Sequence, residues 1–175
     1  MKSPSHIFVV DADIARAAGP DPKDRPWSEA AKDAHDLLIA IWQCSGYRVV
    51  FDQTLLNEWK EHQGKSAQAW LARMVSRRRV IKNAEPSKSW ISALIVTWLP
   101  ANEQDAAEKD SHLVALANDP GDQRLLSNDI KARKKFERIF DDRVQRIHWV
   151  AASQDCRQWL VHGAYDKPDW TVGGS

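Results

Sequence analysis

Apolar and polar positions along the 175 residues follow two rhythms. Short β-rich runs recur as "IFVV" (7–10), "YRVVF" (47–51), "RVIK" (79–82), "QRLLS" (123–127) and "VQRIHWV" (144–150). Each is long enough for one strand and is bounded by turn-forming or charged residues. Between these runs the apolar positions fall three and four apart, the period of a helix. Ser28 is placed to cap a helix whose stripe is Leu37, Leu38, Ile41 and Trp42, with Gly46 at its end. Further helices are predicted over about 53–62, 66–78, 87–99 and 103–118, another after Asp129, and a short last one opened by Ser153. Strands alternating with helices predict a parallel α/β sheet covered on both faces. The length suits one domain, taken as 1–162, with a tail over 163–175 that frays.

The apolar run Ile7–Val10 ends on Asp11, and Asp13 follows after one alanine. A buried strand is a poor place for an unpaired carboxylate. "QRLLSND" repeats the arrangement, with Asp129 beyond the strand. Ligands of open α/β sheets bind past the carboxyl ends of the strands, so two strands aim acids at one edge. Two helices add to them. Asp110 shares a face with Leu113, Val114 and Ala117, and Glu58 shares one with Leu55, Trp59 and His62. Four acids on core-facing positions require a shared partner, and oxygen donors suit a hard divalent cation, Mg²⁺ or Mn²⁺. Asp11, Glu58, Asp110 and Asp129 are the candidates to hold it. Asp13 and Ser127 are expected to touch the ligands rather than the metal. The competing reading of Asp13 is a turn residue capping the following helix, and Asn128 reads as turn geometry. His62 and His112 read as ordinary half-buried helical histidines.

Composition changes this picture little. The chain is 43% hydrophobic and 28% charged with a net charge of +1, ordinary for a soluble globular protein. No segment reads as a membrane span or a signal peptide. Cys44 and Cys156 form no CxxC pattern, which suits a cytoplasmic setting and suggests no cysteine-held metal. Of nine tryptophans, Trp42, Trp59, Trp70, Trp90, Trp98, Trp149 and Trp159 fall among apolar neighbours and are expected mostly in the core. Charge is unevenly spread. Arg73 to Lys88 holds six basic residues against Glu85, and Asp129 to Arg146 holds seven against four acids. Arg73 and Arg77 stand four apart on one helix, off its apolar face, with Arg78 and Arg79 following. Lys131, Lys134, Lys135 and Arg138 lie on the helix that begins at Asp129, with Phe136, Ile139 and Phe140 as its core contacts. Both groups are candidate nucleic-acid contacts, the second preferred because its helix starts at a proposed ligand.

In order and approximate spacing, "FVVDADI", "LLNEW", "EKDSHLVALA" and "LLSND" resemble the motifs of PIN-domain nucleases, over about residues 6–150. The resemblance implies a three-layer α/β/α sandwich around a parallel five-stranded sheet of order 3-2-1-4-5. It implies an acidic quartet of Asp11, Glu58, Asp110 and Asp129, dependence on Mg²⁺ or Mn²⁺, and Ser127 as the hydroxyl residue before the last acid. Asp13 falls where family members often carry Asn or another small polar residue. The implied activity is phosphodiester hydrolysis, foremost as an endoribonuclease on single-stranded or structured RNA, with DNA as the other substrate. An antitoxin protein or a second copy of the chain are partners the resemblance allows; a membrane is not.

Two departures matter. Many relatives place another acid shortly after the fourth, where this chain has Ile130, Lys131 and Ala132, so a second tightly held metal is not implied. The chain also exceeds the compact toxin members, in residues 19–30 and in the tail.

Two rival readings stand beside this one. "VVDADI" also resembles the DxD motif of haloacid dehalogenase-type phosphatases, with Asp11 as nucleophile and Asp13 as acid/base. "LLSNDIK" offers one acid where that chemistry wants a pair, and Glu58 and Asp110 go unexplained. The third reading is a PIN-like module that binds RNA or protein without cleaving.

Overall fold

The computed structural model describes residues 5–19, 27–62, 64–154, 156 and 160, and of His62 the backbone alone. Five parallel strands form one sheet: β1 (His6–Val10), β2 (Tyr47–Val50), β3 (Val80–Ile81), β4 (Arg124–Leu126) and β5 (His148–Val150). Their order is β3-β2-β1-β4-β5, as expected. Parallel neighbours need crossover connections, and helices supply them. These are α1 (Ala12–Ala17), α2 (Glu29–Gln43), α3 (Gln53–His62), α4 (Lys65–Ser76), α5 (Ser89–Trp98), α6 (Ala101–Asn118), α7 (Ile130–Glu137) and α8 (Asp142–Gln145). They pack as two groups, α1 to α4 and α5 to α8, which meet where α3 touches α6. The two helices predicted to carry acids are therefore the two that join the layers.

The central strand is the most deeply buried, with Phe8, Val9 and Val10 fully enclosed. Around it lie Tyr47, Phe51, Leu55 and Trp59 on one flank and Leu113, Val114, Leu125 and Phe136 on the other. Leu37, Leu38 and Ile41 are buried as the α2 stripe predicted, and Ser28 Oγ accepts from the Ala31 amide at 3.2 Å as its cap. Ser153 Oγ likewise accepts from the Cys156 amide at 3.1 Å. The rest of that last helix, Trp159 and the expected tail lie outside the described residues.

Three expectations are corrected. The predicted strand over 144–150 is shorter, because Asp141 caps a helical turn, α8, by accepting from the Arg143 amide; Val144 is buried from that turn. Trp98 and Phe140 are not core: they are 44% and 67% exposed and meet edge to face with centroids 5.2 Å apart. Arg79 is not a surface cation. Its buried guanidinium donates to the carbonyls of Ile41, Trp42, Cys44 and Tyr47 at 2.6–2.8 Å. It thereby satisfies the carbonyls that the end of α2 leaves unpaired.

Gly19, after α1, and Gly64, before α4, pass backbone against backbone. A Cβ on Gly64 would collide with the backbone of Gly19 at 2.0–2.5 Å, whereas one on Gly19 would be tight against Arg16 and Gly64 at 3.1–3.2 Å.

Candidate active site at the carboxyl edge of the sheet

The sheet hydrogen bonds set two acids side by side. The Asp11 amide donates to the Leu126 carbonyl at 2.9 Å, and the Ser127 amide donates to that of Val150 at 2.8 Å. The chain therefore leaves β1 and β4 at the same edge, with Asp11 and the 127–129 turn adjoining. Ser127, fully buried, links them. Its hydroxyl lies 2.7 Å from Asp11 Oδ2 and 3.3 Å from Asp13 Oδ2, and accepts from the Asp129 amide at 3.1 Å. One hydroxyl proton serves two carboxylates, and the shorter contact is the better-made bond.

Asp13 does not cap α1. Its Oδ2 reaches across to accept from the Asn128 amide at 2.9 Å, while Oδ1 is buried without a hydrogen-bond partner. Asn128 has the structural role expected of it: its Oδ1 accepts from the Ala152 amide at 2.8 Å, holding the turn to the end of β5. Asp129 is the N-cap of α7, with Oδ1 accepting from the Ala132 amide at 2.9 Å. That capping bond occupies one of its oxygens.

Glu58 and Asp110 arrive from the two helix layers. Trp59 is fully buried and donates from Nε1 to the Val10 carbonyl at 2.9 Å, which pins α3 against the end of β1 and sets Glu58 near Asp11. Leu113, Val114 and Ala117 are buried on α6, so Asp110 sits on the inward face as its spacing required.

The acids feel one another. Burial raises the Asp11 carboxyl above its ordinary value, and the charge of Glu58 adds to this against the opposing Ser127 bond. Asp13 is pushed up to about 7, first by burial and then by Asp11, with Asp129 contributing. Asp110 is raised to about 6 by burial, then by Asp129 and Asp11. Loss of hydration and like-charge repulsion both favour the protonated form, and they outweigh the opposing charges of His112 on Asp11 and Asp110 and of Lys135 on Asp110. The quartet expected from the sequence thus lies in one shared field.

His112 exceeds its expected role. It is buried, its Nδ1 lies 2.9 Å from the Lys109 carbonyl, and its Nε2 approaches Glu58 Oε2 at 3.3 Å, short of a well-aligned hydrogen bond. Burial opposes its charge, yet Glu58, Asp52 and the Lys109 carbonyl outweigh that and raise its pKa. Asp52 is a third strand-end acid, and no chemistry was expected of it. Its Oδ1 accepts from the Leu55 amide at 2.7 Å at the start of α3.

The basic groups divide. The charge of Lys135 acts on Asp110, which puts α7 beside the acids. Lys131 and Lys134 are exposed on the same helix, and Arg138 pairs with Glu103 of α6. Arg77 is exposed at the end of α4, and Arg73 lines a cavity between α2 and α4 with Trp42 and Trp70.

The donor set fits a hard cation in kind: desolvated carboxylates, and a buried Asp13 oxygen with no partner. It is not drawn together, because among the described residues no three Asp, Glu, His or Cys side chains form a group that could hold a metal ion. No helix among the described residues is long and apolar enough to cross a membrane. No family model, curated protein or solved structure matches the chain.

Proposed function

We propose that the chain is a Mg²⁺- or Mn²⁺-dependent nuclease of PIN-like type, hydrolysing phosphodiester bonds in RNA. One observation carries this reading: four acids from four separate stretches of chain share one electrostatic field at the carboxyl edge of the sheet. Asp11, Asp110 and Asp129 would hold the metal, with Glu58 as a further ligand or as the group orienting the attacking water. A bound divalent cation lowers the pKa of its water and polarises a phosphoryl oxygen. Around it, Ser127 fixes the rotamer of Asp11 and joins it to Asp13. His112 faces Glu58 and balances its charge. Lys131, Lys134 and Lys135 offer the phosphate contacts that an acidic pocket lacks. An antitoxin or a second copy of the chain would be partners of the same reading.

The phosphatase reading gains one point from the structure: Asp13, at about 7 beside Asp11, has a pKa suited to acid/base work. It leaves Glu58 and Asp110 without a task. Incubation with Mn²⁺ and either single-stranded RNA or p-nitrophenyl phosphate separates the two. The nuclease reading expects RNA cleavage that is lost in Asp11→Asn and Asp129→Asn, both folded. Turnover of p-nitrophenyl phosphate alone favours the phosphatase, and turnover of neither favours a binding module.

A further inference from the structure

The geometry points to a base-stacking platform at Trp98 and Phe140, which takes an unpaired base of a single strand whose phosphates run along α7 toward the acids. This rests on the nuclease reading above. Scattered apolar residues on a surface need no explanation. Two aromatic side chains in contact, 44% and 67% exposed, are a different matter. Their edge-to-face arrangement, with centroids 5.2 Å apart, leaves each ring at least one face that the other does not cover.

Their position follows from α6 and α7. Glu103, Ala107 and Asp110 are spaced four and three apart and so share one face of α6. Lys135 acts on Asp110, and three residues later Arg138 pairs with Glu103. Along this stretch α7 therefore runs antiparallel to α6, from the acids toward the start of α6. Trp98 closes α5 just before that start, and Phe140 follows two residues after Arg138. Seven residues of α6 at about 1.5 Å each separate Glu103 from Asp110, roughly 10 Å. Lys135 and Arg138 span that interval, and Lys131 and Lys134 share their face of α7 nearer to Asp129. Cations that track a backbone and end at open aromatic faces are the combination that binds single strands without reading sequence, over sites as short as about four nucleotides. The lysines of α7 favour a polyanion over an apolar protein surface as the occupant, while Arg138, paired with Glu103, and the acids Asp141 and Asp142 after Phe140 add nothing to that attraction.

The test is an anisotropy titration in Ca²⁺, to suppress cleavage, with labelled RNA of about ten nucleotides and an abasic strand of equal length. Loss of a stacked base weakens binding about tenfold. Trp98→Ala with Phe140→Ala should lose that factor on RNA and nothing on the abasic strand. The salt slope should hold, because stacking releases no counter-ions. Phe140→Tyr, which keeps a ring, should bind as the wild type does. Equal RNA binding by the double variant overturns the platform and leaves the nuclease reading standing, provided Mn²⁺-dependent cleavage persists. Equal losses on both strands overturn it too, since they mean an effect on folding or charge. A double variant that binds RNA unchanged but turns a dimer into a monomer makes the pair a protein interface. If the wild type binds neither strand, the platform and the nuclease reading fall together.

Discussion

The Asn128 amide donates to Asp13 Oδ2 at 2.9 Å, tying the second residue of α1 to the turn that carries Ser127 and Asp129. The bond needs an acceptor, not a charge. With its carboxyl at about 7, Asp13 is protonated about half the time at neutral pH. Asp13→Asn should keep the bond to Asn128, relieve repulsion with Asp11, and raise the melting temperature of the metal-free protein at pH 8. About 1 kcal/mol of relief is roughly 2–4 °C for a chain of this size. Cleavage should survive. A lower melting temperature would mean that the charge of Asp13 is needed to hold the turn.

Stability should fall as pH rises. Asp13 and Asp110 titrate at about 7 and about 6 in the folded chain, against an ordinary 3.8. The folded state therefore binds more protons than the unfolded state across that window. The associated stability is complete below about pH 4 and is lost as pH climbs through 6 and 7. Melting in chelator between pH 5 and 8 should show the decline, with a shallower slope in Asp110→Asn. A rising curve over that range would contradict the shared field.

Divalent cations should reverse the decline. A ligand that binds only the folded state stabilises it by about 2.7 kcal/mol at a hundredfold excess over its dissociation constant. At pH 8, millimolar Mn²⁺ should raise the melting temperature by several degrees, and Asp110→Asn should abolish the shift. No shift in the wild type counts against the metal site.

The lysines of α7 can be separated from the acids by choosing the right pair. Lys135 acts on Asp110, so changing it would disturb the proposed metal site as well as the surface. Lys131→Glu with Lys134→Glu avoids this. Each phosphate contact contributes about 0.7 to the salt slope on a single strand, so losing two should flatten it by about 1.4. Binding should weaken while the Mn²⁺-induced melting shift stays intact. Unchanged binding in 50 mM salt would show that these lysines only keep a helix face wet.

The strands and most helices were legible because buried parallel strands read as continuous apolar runs and their crossovers keep a helical stripe, whereas the strand order was implied only by the resemblance of four motifs. The acids were legible for the converse reason, since each stands where the pattern demands an apolar residue. Other features depend on neighbours distant in the sequence. His112 read as ordinary because nothing local reveals Glu58, 54 positions earlier and on another helix. Asp52 passed unnoticed because a strand-end acid that caps a helix looks the same as one that waits for a ligand. Arg79 sits in "SRRRVIK", where charge alone does not say which guanidinium faces water and which faces carbonyls. Val144 and Ile147 suggested a strand, although their spacing of three suits the helical turn that Asp141 starts.

The back-to-back glycines have a consequence for how this edge could vary. Asp13 rides on α1 and Glu58 on α3, and those two helices pack together next to the Gly19–Gly64 crossing. A methyl group at Gly64 would overlap the Gly19 backbone, so the two backbones could keep this approach only with glycine at position 64. The closeness of α1 to α3, and so of the segments that carry Asp13 and Glu58, is bounded beside this point by two residues that have no side chain at all.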